Sequence, residues 1–290
     1  MITGSIVALV TPMHADGALD RAALDALLDW HLGAGTAAVV AVGTTGESAT
    51  LDVEEHIAVI RRCVERLDGR LPVIAGTGSN STREAIDLSR AAADVGADAC
   101  LQVTPYYNRP GQAGLEAHFT AIAEAVDLPQ ILYNVPSRSA VDLHNDTALR
   151  LAGHRRIVGL KDATGDLARG RELLARAGDD FAVYSGDDAS AARLMLAGAH
   201  GSISVTANVL PQRCAALCAA ARDGDAATAA QLDAQLAGLN RALFVEANPI
   251  PVKYALARCG RIGPGIRLPL TQLGAAGRAG VDAALAELGL

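Results

Sequence analysis

The sequence is short of lysine. Of its 25 basic residues only Lys161 and Lys253 are lysines, and the remaining 23 are arginines. Arginine serves equally well as a solvated surface charge, but its guanidinium stays protonated and cannot act as a nucleophile. A lysine kept in such a chain is therefore a candidate for chemistry. Basic charge as a whole is also in deficit. The 32 Asp and Glu outnumber the 25 Lys and Arg, for a formal charge of −7. That argues against a nucleic-acid-binding role, which needs a clustered basic surface. Long apolar runs are missing too. Val7–Val10 and Ala37–Val42 fall far short of the ~20 residues that span a bilayer, so no membrane segment is expected. Met1-Ile2-Thr3-Gly4-Ser5 has no basic segment leading into an apolar one, so no secretory signal is expected. The five cysteines (Cys63, Cys100, Cys214, Cys218 and Cys259) are odd in number and scattered. They fit a reducing cytoplasm, where free cysteine behaves as a small buried hydrophobe, and a cytoplasmic location is expected.

What is present is an alternation. Short, continuously apolar segments rich in Val, Ile and Leu recur at Ile6–Thr11, Ala37–Gly43, Pro72–Gly76, Ala99–Thr104, Gln130–Asn134, Ile157–Asp162, Phe181–Ser185 and Ser202–Thr206. This is the pattern of parallel strands buried on both faces. Amphipathic helical segments lie between them, opened by Asp20, Asp52 and Asn80-Ser81. Glu54 and Glu55 sit in the first turn of one helix, and Glu84 stands near a capping-box position in another. Gly33, Gly69, Gly96 and Gly178 mark helix exits. Eight strand–helix units in succession predict an α/β fold, a closed (β/α)8 TIM barrel. A doubly wound open sheet would usually bring a glycine fingerprint after its first strand. That position here reads Val10-Thr11-Pro12-Met13. Past Arg222 the strand signal stops and Ala-rich helical segments continue. The expected division is a catalytic barrel over residues 1–222 and a C-terminal helical extension over 223–290, packed on the barrel.

Active sites of such barrels lie at the C-terminal strand ends. Those ends carry Thr11, Gly43-Thr44-Thr45-Gly46-Glu47, Thr104-Pro105-Tyr106-Tyr107, Tyr133-Asn134, Lys161 and Gly186-Asp187. Strand alternation points Lys161 into the barrel together with Gly159. Burial there disfavours the ammonium and pulls its pKa down from ~10.4. A neutral amine attacks a carbonyl to form an imine, and the iminium then draws electrons from the adjacent carbon. The plainer reading of Lys161 is a salt bridge to a strand-end acid. Tyr133 is a candidate proton shuttle, with Thr44 and Tyr107 as hydroxyl partners. Backbone N–H groups of the Gly43–Gly46 loop, with Thr44 and Thr45, suit a carboxylate. Arg138 is either a bidentate clamp for a second carboxylate or an ordinary surface arginine. Gly76-Thr77-Gly78-Ser79 lacks the third glycine of a dinucleotide site. Cys214 and Cys218 have no partners to complete a zinc set, so they read as core. Lys253 reads as structural. No metal and no cofactor are expected.

The motifs taken together resemble the dihydrodipicolinate synthase family, within the pyruvate-dependent class I aldolases and lyases. They are Gly43-Thr44-Thr45-Gly46-Glu47, Val103-Thr104-Pro105-Tyr106-Tyr107-Asn108-Arg109-Pro110, Tyr133-Asn134-Val135-Pro136-Ser137-Arg138, Gly159-Leu160-Lys161-Asp162-Ala163-Thr164-Gly165, Ser185-Gly186-Asp187-Asp188 and Asn248-Pro249-Ile250-Pro251-Val252-Lys253. The resemblance implies a lysine Schiff base with pyruvate on Lys161 and condensation with L-aspartate 4-semialdehyde. The product, 4-hydroxy-tetrahydrodipicolinate, would feed diaminopimelate and lysine synthesis. It implies a proton relay of Tyr133, Thr44 and Tyr107, with Tyr107 given across a dimer interface. Thr45 would bind the pyruvate carboxylate and Arg138 that of the aldehyde, with Gly186 and Ile203 lining the site. A homotetramer, a dimer of dimers, is the implied assembly. Feedback inhibition by L-lysine is implied at Ser48, Ala49, His56, Asn80, Glu84 and Tyr106. Position 53, often His in sensitive members, is Val53 here, so weaker inhibition is expected. The competing readings are a sister lyase acting on N-acetylneuraminate or a hydroxy-oxo acid, and a non-catalytic paralogue. The latter should have lost Lys161, Tyr133 or Arg138.

Overall fold

The computed structural model describes residues 1–290. Eight strands, β1 (Gly4–Ala8), β2 (Ala38–Ala41), β3 (Val73–Gly76), β4 (Ala99–Val103), β5 (Gln130–Asn134), β6 (Ile157–Asp162), β7 (Ala182–Ser185) and β8 (Gly201–Ser204), pair in chain order. All neighbours are parallel, and β8 returns to β1 to close a (β/α)8 barrel. Alternate residues face inward. Ile6, Ile74, Leu101, Ile131, Tyr133, Tyr184 and Ile203 belong to one buried cluster that fills the barrel. The intervening residues, such as Val7, Val39 and Val73, pack outward beneath the helices. Both faces of each strand are thus apolar, as the unbroken apolar runs require.

Three strands, β1, β2 and β8, stop two or more residues before the ends of the apolar runs that announce them. β1 gives way past Ala8: Leu9 N still donates to Val40 O at 3.0 Å, but the groups after it leave the ladder. Val10 N donates to Asn208 Oδ1 at 3.0 Å, and Thr11 Oγ1 donates to Gly46 O at 2.7 Å. β2 stops where Val42 turns to φ 49°. β8 stops because the Asp188 carboxylate takes the N–H groups of Val205 and Thr206, both at 3.0 Å, before a short 3-10 turn over Thr206–Asn208.

The first helices are α1 (Arg21–Leu32), α2 (Val53–Leu67) and α3 (Thr82–Asp94). Asp20 caps α1 by accepting from Ala23 N at 2.9 Å. A full capping box forms at α2, between Asp52 and Glu55. At α3 the expected box does not form. Ser81 accepts from Glu84 N, but the Glu84 carboxylate is occupied by Ser79 Oγ. Then follow α4 (Gln112–Ala125), α5 (Pro136–Ser139), α6 (Asn145–Leu151), α7 (Leu167–Arg176), α8 (Ala191–Leu196) and α9 (Pro211–Arg222). Cys214 and Cys218 lie buried in α9, within the outer core.

Three more helices, α10 (Ala226–Ala242), α11 (Ile250–Arg258) and α12 (Ala275–Glu287), complete the chain. They are tied to the rim of the barrel by charge as well as by packing. Lys253 Nζ on α11 donates to Glu47 Oε1, and Arg267 N donates to Glu47 Oε2 at 3.1 Å. The Arg267 guanidinium grips Glu55 and reaches the carbonyls of Thr50 and Gly17. No helix is long and apolar enough to cross a membrane.

Candidate active site

Two glycines shape the barrel around Lys161. Gly159 precedes it by two on the same inward face. A Cβ there would lie 2.6 Å from the Ala182 carbonyl oxygen and 3.3 Å from the Tyr184 ring. Its absence lets Tyr184 fill the space beneath, with its hydroxyl donating to Ile2 O at 2.8 Å. A Cβ on Gly186 would lie 2.9 Å from Lys161 Cε and 2.8 Å from Ala163 Cβ. The lysine stem therefore runs against bare backbone of the β7 loop.

Lys161 is buried, and burial lowers its pKa to about 8. The Asp188 carboxylate opposes that fall and the Arg138 charge adds to it. Tyr133 stands opposite Lys161 in the β5–β6 register. The Lys161 ammonium lies 4.1 Å from the centroid of the Tyr133 ring. Burial raises the pKa of the Tyr133 phenol, while the Arg138 charge and the Thr44 side chain pull it back down. Lys161, Tyr133, Thr44 and Arg138 thus form one electrostatic group.

The Thr44–Gly46 segment is a 3-10 turn that follows β2. Gly46 must be small, because a Cβ there would sit 3.2 Å from Thr11 Oγ1 and 3.3 Å from Leu9 O. Glu47 closes the turn at φ 58°, a left-handed conformation unusual for a side chain with a Cβ. Its buried carboxylate is held by Lys253 and Arg267, which fixes the turn from the far side. Thr45 is buried and accepts from Asn248 Nδ2 at 2.9 Å. Arg138, on α5, donates to Asn248 O at 3.2 Å. Thr44, Arg138 and Asn248 share the wall of a cavity of about 490 Å³.

Residues 1–288 match the Dihydrodipicolinate synthetase family. The chain belongs to that family. It is 60% identical over 290 residues to the 4-hydroxy-tetrahydrodipicolinate synthase of Thioalkalivibrio sulfidiphilus, covering 100% of this chain and 99% of the relative. It superposes on the chloride-inhibited dihydrodipicolinate synthase of Acinetobacter baumannii complexed with pyruvate with a TM-score of 0.99, at 55% identity, over 100% of this chain and 99% of that one. The lysine-bound dihydrodipicolinate synthase of Cyanidioschyzon merolae superposes with a TM-score of 0.96, at 39% identity, over 100% and 99% of the two chains.

In this member of the dihydrodipicolinate synthetase family, the expected site residues separate into four groups. Lys161, Tyr133, Thr44, Thr45, Arg138 and Gly186 gather at the C-terminal mouth of the barrel. Ile203 is buried on β8 among the barrel-filling side chains. Tyr107 is not part of the cavity of its own chain. It is 90% exposed and holds a backbone φ of 72°. The expected regulatory residues Ser48, Ala49, His56, Glu84 and Tyr106 line the same cavity as Thr44 and Arg138, and so does Val53. His56 Nε2 donates to Gly76 O at 2.8 Å, and Asn80 Nδ2 donates to Tyr106 O at 3.2 Å.

Sequence reasoning assigned no role to Glu47, Asp188 or Asn248, although all three fall in recognised motifs. Lys253, read as structural, is the partner of Glu47. Their contacts span 17 to 206 residues, so no local spacing reveals them.

Proposed function

We propose that this chain condenses pyruvate with L-aspartate 4-semialdehyde to give 4-hydroxy-tetrahydrodipicolinate, the first step toward diaminopimelate and lysine. The observation that carries this reading is a buried lysine of lowered pKa, faced by Tyr133 with Thr44 beside that phenol, and a guanidinium at the cavity wall.

The neutral Lys161 amine attacks C2 of pyruvate. The ketone oxygen leaves as water and an iminium remains. Thr45 and the backbone of its turn hold the pyruvate carboxylate. One proton leaves C3 toward Tyr133, and the electron pair becomes an enamine. The enamine carbon attacks the aldehyde carbon of the second substrate, whose oxygen takes up a proton to become the hydroxyl. The α-amine of that substrate then attacks the imine carbon, and the Lys161 amine departs. One water is released overall. Arg138 binds the carboxylate of the aldehyde through paired N–H donors. An acceptor-side arginine favours this substrate over the sugar-type aldehydes of sister lyases.

Tyr107 acts in a partner subunit, within a homotetramer built as a dimer of dimers. Its exposure in the isolated chain supports that assignment. L-Lysine is a feedback ligand of the cavity lined by Ser48, Ala49, His56, Glu84 and Tyr106, with Asn80 beside Tyr106. The Glu84 carboxylate suits its cationic end. Residues 1–222 carry the chemistry, and residues 223–290 brace it.

The test is pyruvate consumption with aspartate 4-semialdehyde, N-acetylmannosamine or glyoxylate as the acceptor. Selective use of aspartate 4-semialdehyde is expected. Turnover of another aldehyde in its place would move the chain to a sister activity and remove the role given to Arg138.

A further inference from the structure

Asn248 lies outside the barrel sequence, at the start of the segment that leads into α11. It nevertheless touches both carboxylate subsites. Its side-chain Nδ2 donates to Thr45 Oγ1 at 2.9 Å, and its backbone carbonyl accepts from Arg138 Nη2 at 3.2 Å. It is 5% exposed and lines the cavity that Thr44 and Arg138 share.

The direction of the first bond matters. An amide nitrogen can only donate, so the Thr45 oxygen serves as acceptor there. The Thr45 hydroxyl hydrogen is left free to donate to a substrate oxygen. Arg138 spends one of its five N–H donors on the Asn248 carbonyl and keeps the others for a carboxylate. The same segment also holds the far end of the turn, because Lys253 pairs with Glu47. The turn bearing Thr44 and Thr45 is gripped at two points by residues 248–253.

Stability alone does not account for this side chain. Asn248 Oδ1 is buried and has no hydrogen-bond partner. A buried polar atom left unpaired is costly, and an apolar residue of similar size would avoid that cost.

We propose that Asn248 is a positioning residue that locks the pyruvate-carboxylate subsite at Thr45 and the aldehyde-carboxylate subsite at Arg138 into one geometry. The inference rests on the roles given to Thr45 and Arg138 in the proposed function. It assigns the C-terminal segment a direct part in substrate binding, beyond packing on the barrel.

Two variants test it in the full-length protein. Borohydride trapping with pyruvate alone gives the half-saturating pyruvate concentration, and steady-state kinetics give kcat and the KM of the aldehyde. Asn248→Ala removes the bond to Thr45 and frees the backbone carbonyl that Arg138 uses from its anchor, so it should raise the pyruvate half-saturation about 3- to 10-fold, as expected for one net hydrogen bond, and the KM of the aldehyde by a smaller factor above about twofold, with kcat lowered less. Asn248→Asp is isosteric but has no donor. It turns the Thr45 hydroxyl inward and sets a negative charge beside both carboxylates. It should therefore raise both values further than alanine does, although it preserves packing better. The inference is overturned if both half-saturations stay within about twofold of the parent, if only one of them moves, or if Asp is milder than Ala. Should Asn248→Ala fail to fold, Asn248→Asp decides alone by whether both values rise. Rejection of aspartate 4-semialdehyde by the unmodified protein would overturn the proposed function instead, and the pyruvate half-saturation would still decide the role of Asn248.

Discussion

The Lys161 ammonium lies over the face of the Tyr133 ring, 4.1 Å from its centroid. Two opposed effects meet at this pair. The negative ring face favours the charged amine. Burial disfavours it, and the lysine ends at about 8. A lysine at that value is neutral often enough near neutral pH to attack a carbonyl. It is still basic enough to accept a proton when the imine is released.

The pH dependence of imine formation follows from this pair. Only the neutral amine attacks, so the initial rate of borohydride trapping with saturating pyruvate should rise as pH rises through about 8. Asp188 holds the Lys161 pKa up, so Asp188→Asn should move this limb to lower pH. Arg138 pushes it down, so Arg138→Ala should move the limb to higher pH. Lys161→Arg should give no trapped adduct at any pH, because arginine stays protonated. An adduct recovered from that variant on another residue would refute the assignment.

Gly186 should not tolerate a side chain. Alanine would set a methyl 2.9 Å from Lys161 Cε, inside contact distance. We expect Gly186→Ala to lose about 1–3 kcal/mol of stability, because the methyl also overlaps Ala163 Cβ, and to lose imine formation by at least about tenfold in the folded protein, equivalent to ~1.4 kcal/mol of misplacement. Thermal unfolding and trapping on the same sample separate the two effects.

The Glu47–Lys253 pair should behave as a buried ion pair. Both side chains are almost fully enclosed, at 0% and 3% exposure. Removing one partner strands the other charge, which costs about 3–5 kcal/mol. Lys253→Met should lower the unfolding midpoint by roughly 10 °C. The double variant Lys253→Met, Glu47→Gln should lose less than the sum of the two single losses. Strict additivity in calorimetry would show that the pair is not coupled.

Val53 should limit the response to L-lysine. It stands at the first position of α2, is 59% exposed and lines the shared cavity without offering a donor. We expect inhibition by L-lysine in the parent and a several-fold tighter inhibition constant in Val53→His, in line with one added hydrogen bond. An unchanged constant would place the ligand away from position 53.

Much of the architecture was legible from local pattern. The ends of β5 and β6 agree with the sequence reading to the residue, and α2 starts directly after Asp52 as expected. β5 and β6 are continuous apolar runs, and α2 opens on a complete Asp52–Glu55 capping box. Lys161 stood out because the chain holds only two lysines, and strand parity then pointed it inward. Two of the misjudged points were decided by a competing side-chain partner. β8 ends early because Asp188 takes two N–H groups, and Glu84 leaves its box for Ser79.

The sequence by itself therefore determined the periodicity, the caps of α1 and α2, the order of strands and the candidate for the reactive amine. Each depends on residues within a few positions of one another, or on a residue type that no other can replace. Tertiary structure alone decided how deep Lys161 lies, which acids and bases perturb it, and that Asn248 meets Thr45 across 203 residues of chain. It also decided that Tyr107 stands outside its own cavity. Burial and long-range hydrogen bonds exist only once the barrel closes, because closure removes water and brings distant strand ends to one mouth.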